Sequence, residues 1–395
     1  MNRPGLPRAE VVSGVVQGWF VPGFEPAVEA FERNFLERGE VGAAFAVHAQ
    51  GQPVLDLWGG LADRAAAVPW SAATLVGIFS GSKGLVATCL AILLDRGQLD
   101  LEAPLCEYWP EFAAHGKDGI LVRHVVSHQA GMPGLLTPTS VEEATDDVRM
   151  AELLAAQQPI APPGAGIEYH ALTFGWLCGE LVRRVDGRSI GRFFAEEVAA
   201  PLGLDAWIGL PASEEPRVAV LERSSGFSAE QADAPLDPAA EERAWSIWSN
   251  PPRFTPEGLA ANLPAWHAAE IPATNGIATA RSLSRLYGCL AAGGGIDGVR
   301  ILSSDALGVA RTPLAYGADR DTGFKISFGV GYELQTDEPR LGPVKDAFGH
   351  PGAGGSVHGA WPSREIGFSY TPNLLDSLND VDPRAEALLT ALREA

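Results

Sequence analysis

Hydrophobic and polar positions alternate with two different periods along this chain of 395 residues. Residues 26–38 carry apolar side chains at the intervals of a helix. Residues 41–48 and 53–59 are β-rich runs on either side of the turn-forming pair Gln50-Gly51, and they predict a hairpin. The pattern therefore predicts a helix followed by two antiparallel strands.

The pattern becomes helical after a further strand-like run at 74–79. The predicted helices are 85–97, 172–185 and 188–200, with a short helical piece at 124–129. Gly97 is a suitable C-terminal residue for the first of them, because glycine adopts the left-handed conformation found there at little cost. Residues 210–270 are rich in Pro, acidic residues and Trp, and no regular structure is predicted for them.

Strand patterns return near the end of the chain. The predicted late strands are 328–334, 356–361 and 366–370. Pro362-Ser363 is expected to form the turn between the last two. Residues 382–392 predict a closing helix, with Asp382 as its N-cap before Pro383.

Strands at both ends and helices in the middle predict an α/β plus all-α fold. We expect one antiparallel sheet, built from both chain ends, flanked by helices and interrupted by a large helical insertion. The predicted division is a discontinuous α/β domain, 1–89 with 271–395, and a mostly helical domain, 90–270, with a cleft between them. On this hypothesis, strand 366–370 pairs with the N-terminal hairpin.

Composition limits the class of partner. The net charge of -20 argues against binding to nucleic acid or to an anionic membrane surface, since both would repel the protein. Residues 1–18 lack the apolar segment of a signal peptide, and no run approaches the roughly 20 apolar residues that span a bilayer. We therefore expect a cytoplasmic protein without a membrane partner. The sequence does not determine its oligomeric state.

The cysteines and histidines lack the spacing of metal ligands. The four cysteines are Cys89, Cys106, Cys178 and Cys289. Cys89 and Cys178 lie in apolar helical runs, where a buried free thiol is expected. His115, His124 and His128 lack the carboxylates and regular spacing of a zinc site. We predict no metal and no cofactor.

A candidate nucleophile lies in Ser80-Gly81-Ser82-Lys83, at the start of an apolar helix. Ser80 and Lys83 share a face there, because residues three apart are neighbours on a helix. A serine needs an adjacent base, and a desolvated lysine amine at the positive end of a helix serves as one. The motif alone fits a serine N-cap followed by a solvent-facing lysine equally well.

Two further segments have candidate chemistry. Tyr169 follows a Pro/Gly loop and precedes a helix, so it is suited to relay protons if nearby cations lower its pKa. His350-Pro351-Gly352 opens a run of small residues whose backbone N–H groups can approach a carbonyl oxygen. Each segment alone also fits a packing tyrosine or a glycine-rich turn.

Together, the order of these motifs resembles the superfamily of class C β-lactamases, DD-peptidases and family VIII carboxylesterases. The segments 126–134 and 275–286 are similar to its structural His-x-x-Gly segment and its late helix. The resemblance implies that Ser80 attacks the carbonyl, Lys83 takes its proton and Tyr169 passes protons to the leaving group and later activates water. It also implies an oxyanion hole formed by the backbone N–H groups of Ser80 and Ala353.

Two departures from β-lactamases favour a small-molecule ester as substrate. Ala171 stands where that family has an amide or hydroxyl side chain, and His350 stands in place of a lysine. Histidine is largely neutral near pH 7, so the permanent cation is lost. The residues predicted to bind substrate are His350, Gly352, His170 and Trp248. The aromatic residues Trp245, Trp248, Phe254 and Trp266 are interpreted either as an apolar substrate pocket or as ordinary core packing.

Two alternatives to an esterase fit the same motifs. The enzyme alternative is a β-lactamase, or a peptidase or amidase acting on D-amino acids. The other is a non-catalytic homologue that binds penicillin or peptidoglycan fragments.

A second serine motif has a structural interpretation. Gly187-Arg188-Ser189-Ile190-Gly191 matches the nucleophile pattern of α/β-hydrolases. A predicted helix rather than a strand precedes it, so Ser189 is interpreted as an N-cap.

Overall fold

The computed structural model describes residues 7–224, 238–256, 258–376 and 381–395. Parts of the predicted irregular region 210–270 and of the N-terminal segment 1–18 lie outside the described residues. The strands are β1 Ala9–Ser13, β2 Val16–Phe20, β3 Gly42–Ala49, β4 Gln52–Asp63, β5 Val68–Pro69, β6 Val76–Gly77, β7 Ala206–Trp207, β8 Glu222–Arg223, β9 Phe254–Thr255, β10 Gly258–Leu259, β11 Ile277–Ala278, β12 Gly295–Ile296, β13 Val299–Arg300, β14 Ala315–Ala318, β15 Lys325–Phe328, β16 Glu333–Leu334, β17 Phe348–Pro351, β18 Val357–Trp361, β19 Ile366–Pro372 and β20 Leu374–Leu375.

The helices lie mainly between the two groups of long strands. They are α1 Glu25–Glu37, α2 Ser82–Asp95, α3 Leu105–Tyr108, α4 Val122–Val126, α5 Asp147–Ala156, α6 Thr173–Asp186, α7 Ile190–Phe194, α8 Ala200–Leu202, α9 Pro238–Trp248, α10 Pro264–Ala268, α11 Ala280–Ala291, α12 Ser304–Ala310 and α13 Pro383–Glu394. Asp382 caps α13, as predicted, because its side chain accepts a hydrogen bond from the Arg384 N–H.

One antiparallel sheet joins the two ends of the chain. Its strand order is β1-β2-β4-β3-β19-β18-β17-β16-β15-β14, with β5 paired to β4. Strand β19 pairs with β3 over seven residue pairs, including Phe368 with Val47. The prediction that the strand near 366–370 pairs with the N-terminal hairpin is therefore confirmed.

Side-chain alternation along β19 separates the two faces of this sheet. Phe368 and Tyr370 lie in a hydrophobic cluster with Phe31 of α1 and Leu388 of α13. Gly367 points to the opposite face, because successive residues of a strand alternate. A Cβ atom at Gly367 would lie 1.9 Å from the backbone nitrogen of Gly288 in α11. Glycine at 367 therefore lets α11 pack directly on the sheet.

The second hydrophobic cluster extends from the α11 face into the helical part of the chain. It joins Leu286 of α11 with Leu90 of α2, Leu181 of α6 and Phe348 of β17. Helix α2 is buried almost all round, so it connects the sheet to the helices of the insertion. This buried position brings the candidate nucleophile, just before α2, to the junction of sheet and helices.

Several predicted elements differ from the structure. Residues 74–79 contain only the two-residue strand β6, and Phe79–Gly81 forms a 3-10 turn instead. The predicted strand 328–334 is divided between β15 and β16, since the Gly329 N–H donates to the Tyr332 carbonyl at 3.0 Å and closes a turn. The predicted helix 188–200 is divided into α7, a π-turn and α8.

Three regions have more regular structure than the sequence predicted. Strands β1 and β2 precede the predicted hairpin and pair with each other at the sheet edge. The glycine-rich segment at His350 begins with β17, between β16 and β18. Helices α9 and α10 lie in the region 210–270. The predicted domain boundaries stay a prediction. In the described ranges, no helix has both the length and the apolar character to cross a bilayer.

Candidate active site

Ser80 lies in a short 3-10 turn, Phe79–Gly81, directly before α2. Phe79 has a φ of 46°, which is uncommon for a bulky residue and is often associated with functional sites. The buried Ser82 supports this turn, because its hydroxyl donates to the Phe79 carbonyl at 2.5 Å and accepts from the Gly276 N–H at 2.8 Å. The serine is thus held two residues before the α-helix rather than at its first residue.

Lys83 is completely buried and its amine contacts three oxygen atoms. Nζ lies 3.3 Å from Ser80 Oγ. It donates to the main-chain carbonyls of Ala171 at 2.9 Å and Ala273 at 3.0 Å. A neutral amine has two N–H donors and one lone pair, so the two carbonyls use both donors and leave the lone pair for the serine proton.

The environment of Lys83 favours that neutral form. Burial lowers the pKa of Lys83 well below its usual range, and the nearby Arg253 cation lowers it further. Cys178 and Glu333 oppose these effects. The lowered pKa agrees with the interpretation of Lys83 as a desolvated amine, and Glu333, which lies outside the sequence motifs, is the carboxylate that acts against it.

Tyr169 is fixed by main-chain and ring contacts beside this lysine. Its N–H donates to Asp319 Oδ2 at 2.7 Å, and its ring stacks on His128 with 4.9 Å between centroids. Lys83 Nζ lies 4.8 Å from the centre of the tyrosine ring. The structure therefore brings together Ser80, Lys83 and Tyr169, as the sequence predicted.

The condition attached to Tyr169 as a proton relay, a pKa lowered by nearby cations, is not met. Burial raises the pKa of Tyr169 above its usual range, against the opposing effect of a hydrogen bond with Ser80. The hydroxyl is consequently a phenol at neutral pH. Such a group passes a proton by donating one while it accepts another, rather than by acting as a phenolate.

The predicted oxyanion segment lies close to the nucleophile turn. A Cβ atom at Gly352 would come within 2.3 Å of the Ile78 carbonyl oxygen, so only glycine allows this approach. The Gly352 N–H donates to the Ser356 carbonyl at 2.8 Å. In the described part of the chain, the Ala353 N–H has no acceptor, which leaves it available to a substrate oxygen.

His350 lies beneath Tyr169 rather than at the cleft surface. Its side chain is buried, its Nδ1 contacts the Pro351 carbonyl at 2.7 Å, and its ring centroid lies 6.1 Å from that of Tyr169. Burial lowers the pKa of His350 well below its usual range, so the imidazole is neutral. Among the described residues, its Nε2 has no hydrogen-bond partner, so contact between His350 and the substrate stays a prediction.

His170 also has a different role from the one predicted. Its Nδ1 contacts the Glu168 carbonyl at 2.5 Å, and its Nε2 accepts from the Met132 N–H at 3.2 Å. Both ring nitrogens are therefore used by the main chain of the protein. This correction removes His170 from the substrate-binding residues and assigns it to the support of the loop before α6.

Trp248, at the end of α9, is the predicted aromatic residue that reaches the site. Its ring stacks on Tyr169 with 6.3 Å between centroids, and its Nε1 donates to Asp321. Arg253 Cζ lies 5.0 Å from the Trp248 ring. The other three aromatics differ: Trp245 is exposed at 37%, Trp266 is buried in the core, and Phe254 lies under Arg223.

Sequence reasoning missed Arg253 and Asp319. Asp319 Oδ2 accepts from the Tyr169 N–H, and Oδ1 accepts from the Asp321 N–H two residues on, an Asx turn that is typical of Asp in turns. The run Asp319-Arg320-Asp321-Thr322-Gly323 was thus a usable signal for a turn. It gave no indication that the turn would hold Tyr169 and Trp248. Arg253 had no local signal.

The remaining candidates lie outside this arrangement. Ser189 caps α7, since its hydroxyl accepts from the Arg192 N–H, and α6 rather than a strand precedes it, so its predicted N-cap role is confirmed. Cys89 and Cys178 are free and buried, as predicted. Among the residues that the structure describes, no three His, Cys, Asp or Glu side chains form a group suited to a metal ion.

Known proteins share this sequence and architecture. A family model described as Beta-lactamase matches residues 28–393. The protein is 41% identical over 361 residues to Esterase/beta-lactamase LipL of Mycobacterium tuberculosis. The aligned region covers 90% of this chain and 82% of that protein. The similarity therefore extends over nearly the whole length of both chains.

Two solved structures have the same fold. A family VIII carboxylesterase superposes with a TM-score of 0.88 at 37% identity and covers 96% of this chain and 100% of that one. A penicillin-binding protein homologue from Caulobacter crescentus superposes with a TM-score of 0.87 at 38% identity, covering 96% and 98%. The expected β-lactamase-like fold, with its antiparallel sheet and helical insertion, is confirmed.

Proposed function

This chain belongs to the beta-lactamase family, and we propose that it is a serine hydrolase that cleaves carboxylic esters through an acyl-enzyme on Ser80. One observation carries the proposal: the buried Lys83 amine donates to two carbonyls and lies 3.3 Å from Ser80 Oγ. The esterase names of LipL and of the family VIII structure support the choice of ester substrates.

Acylation begins with proton transfer from Ser80 to the neutral amine of Lys83. The serine oxygen attacks the ester carbonyl, and the negative charge that develops on the carbonyl oxygen is stabilised by the N–H groups of Ser80 and Ala353. Preorganised donors of this kind contribute about 3 kcal/mol each to the transition state. Donors placed for the oxygen of the tetrahedral intermediate stabilise it more than they stabilise the planar ester.

Tyr169 completes the proton transfers. As the intermediate collapses, its phenol donates a proton to the leaving alkoxide oxygen and regains one from the Lys83 ammonium. In the second half-reaction, water loses a proton through the same pair and attacks the acyl-enzyme. The bond between the acyl carbon and Ser80 Oγ then breaks, the serine oxygen takes back the proton held by the pair, and the carboxylic acid is released, so that each ester consumes one water molecule.

The neighbours of Lys83 favour esters over amides. Ala171 has no side-chain amide to hold a substrate amide, but its main-chain carbonyl holds Lys83. His350 is neutral and buried, so it provides no cation for the carboxylate of a penicillin. An alkoxide is also a better leaving group than an amine anion, which lowers the demand on Tyr169.

Hydrolysis of 4-nitrophenyl butyrate, combined with labelling by a serine-reactive fluorophosphonate, tests the proposal. We expect turnover by the wild type, a mass-mapped adduct on Ser80, and neither in Ser80→Ala. Ser189→Ala is the matched control and should be labelled on Ser80 as the wild type is. No turnover and no adduct would support a silent binding homologue instead, and an adduct on Ser189 would support an α/β-hydrolase mechanism.

β-Lactam hydrolysis is the second candidate, because the name of LipL includes both activities. The kcat/KM for nitrocefin should be well below that for 4-nitrophenyl butyrate, and the opposite order would identify a β-lactamase. A cytoplasmic location, small-molecule esters as the partners, and the absence of nucleic-acid and membrane partners remain predictions.

A further inference from the structure

Arg253 is a cation at the edge of the candidate active site that no predicted role explains. Its guanidinium lies over the ring of Trp248, 5.0 Å from the centroid, and that ring stacks on Tyr169. Trp248 is itself fixed, because its Nε1 donates to Asp321 and the Arg243–Glu168 ion pair ties α9 to the residue before Tyr169. The aromatic contacts therefore connect Arg253 to the tyrosine of the site.

The charge of Arg253 is not neutralised by the protein. Among the residues that the structure describes, no carboxylate forms an ion pair with it. The half-buried Arg243 and Arg340 have carboxylate partners, and Arg311, which also lies over a ring, donates to the Asp346 main-chain carbonyl, but no such acceptor is seen for Arg253 among the described residues. A half-buried guanidinium without a partner lacks the anion that ordinarily offsets its desolvation.

The stacking of Arg253 on Trp248 and of Trp248 on Tyr169 places this charge near the reacting groups, and the pKa values respond to it. Arg253 lowers the pKa of Lys83, and Tyr169 acts in turn on the pKa of Arg253. Burial lowers the pKa of Arg253 to about 10, so it remains a cation at neutral pH. An anion that binds Arg253 would therefore lie within electrostatic range of the nucleophile.

We propose that Arg253, held on Trp248, binds an anionic group of the substrate, so that the preferred substrates are esters that carry a carboxylate. This inference rests on the proposed esterase function and names its substrate class. Guanidinium groups bind carboxylates with two parallel N–H donors, which fixes orientation as well as affinity. The site thereby regains a cation that the buried, neutral His350 does not provide.

Two matched pairs of esters test the proposal, one for each side of the ester bond. 3-Carboxy-4-nitrophenyl butyrate, with its charge on the alcohol, is compared with 4-nitrophenyl butyrate. The 4-nitrophenyl monoester of adipic acid, with its charge on the acyl group, is compared with 4-nitrophenyl hexanoate. For each pair, the ratio of kcat/KM for the charged ester to that for the neutral ester is measured in wild type, Arg253→Gln, Arg253→Lys and Arg223→Gln.

Arg223 provides the matched control, since it is exposed and lies over the Phe254 ring at 4.4 Å. In the wild type, the ratio should exceed that in Arg253→Gln by at least about tenfold for one pair, as expected for a lost charge-assisted hydrogen bond. Arg253→Lys should retain part of the preference and Arg223→Gln all of it. The pair that responds identifies which side of the ester carries the anion.

The possible failures are distinguishable. If the wild type hydrolyses neutral esters but Arg253→Gln leaves both ratios within twofold of the wild type, the anion site is wrong and the esterase function stands. Equal loss in Arg253→Gln and Arg223→Gln also overturns the proposal, because a general change of charge then explains it. If the wild type cleaves none of the four esters, the proposed function itself is wrong.

Discussion

At the residue scale, the protonation of Lys83 determines what the site can do. An ammonium ion could donate to all three oxygen atoms around Lys83, the two carbonyls and Ser80 Oγ, but it could not accept the serine proton. At the reference pKa of about 10.4, a lysine is almost fully protonated at pH 7 and has no lone pair to accept a proton. Burial removes this obstacle, because it destabilises the charged form.

Lys83→Arg is predicted to abolish most ester hydrolysis. A guanidinium stays protonated at any working pH and cannot accept the Ser80 proton, so kcat/KM should fall by about 10²- to 10⁴-fold. Steady-state hydrolysis of 4-nitrophenyl butyrate measures the loss, with the exposed Lys345→Arg as control. Retention of more than about a tenth of the activity, a loss under ~1.4 kcal/mol, would show that another group is the base. His170 is a poor substitute, since both of its nitrogens are occupied.

The pH dependence of hydrolysis should respond to Arg253. Hydrolysis of a neutral ester requires unprotonated Lys83, so the rate rises with pH through the pKa of that amine. Arg253 lowers this pKa because two nearby cations repel each other. Arg253→Gln removes the repulsion, while Cys178 and Glu333 still oppose the effect of desolvation. The pKa of Lys83 should therefore rise, and the rising limb, the part of the pH profile where kcat/KM increases, should move to higher pH.

A kcat/KM profile for 4-nitrophenyl butyrate from pH 5 to pH 10 measures this movement, and Arg223→Gln should leave the limb where the wild type has it. A limb in Arg253→Gln that stays in place or moves to lower pH would contradict electrostatic coupling between Arg253 and Lys83. The coupling to Tyr169 makes the measured value a property of the pair rather than of the lysine alone.

At the scale of elements, the sequence was most informative where a motif is local. Ser80 and Lys83 are three residues apart, and the helix that orients them is marked by its own apolar pattern. Strand β17 was missed because Phe348 to Pro351 includes Gly and Pro, which are poor strand formers, and pairing with β16 and β18 determines its conformation.

The sequence pattern did not predict the contacts between distant segments. Tyr169 and Asp319 are 150 residues apart, and no periodicity records that the Tyr169 N–H meets that carboxylate. The same holds for Arg253, whose nearest motif was an irregular Pro-rich segment. The candidate reacting groups were therefore predicted, whereas the side chains that position and surround them required the structure.

Ser189→Ala is predicted to weaken α7 and leave catalysis nearly unchanged. The substitution removes the cap on the Arg192 N–H and a 2.7 Å hydrogen bond to Glu270, and it should cost about 1–2 kcal/mol of unfolding free energy. Urea denaturation measures the stability, and hydrolysis of 4-nitrophenyl butyrate measures the activity. A thousandfold loss of activity in a folded variant would contradict the capping role and make Ser189 a nucleophile candidate.

At the scale of the whole molecule, a buried charge cluster links both chain ends to the oxyanion segment. Arg384 of α13 forms ion pairs with Glu40 at 3.1 Å and Asp382 at 2.7 Å, and all three side chains are buried. Arg384 also donates to the Gly354 carbonyl at 3.1 Å, one residue after Ala353. The C-terminal helix therefore helps to fix the loop that carries the Ala353 N–H.

Arg384→Met is predicted to destabilise the protein by about 3–5 kcal/mol, because it leaves the carboxylates of Glu40 and Asp382 buried without their cation. The matched control is Arg149→Met, since Arg149 and its partner Glu152 are more than half exposed and such pairs contribute about 1 kcal/mol or less. Urea midpoints measure both variants. Arg384→Lys keeps the charge, so its midpoint should lie between those of Arg384→Met and the wild type.

The activity of Arg384→Lys tests the link to the oxyanion segment. In the folded variant, kcat should fall because the loop that carries the Ala353 N–H loses an anchor, while Ser80 should still react with the fluorophosphonate. Equal urea midpoints for Arg384→Met and Arg149→Met would show that the cluster does not hold the two chain ends together, and an unchanged kcat in Arg384→Lys would separate it from the oxyanion segment.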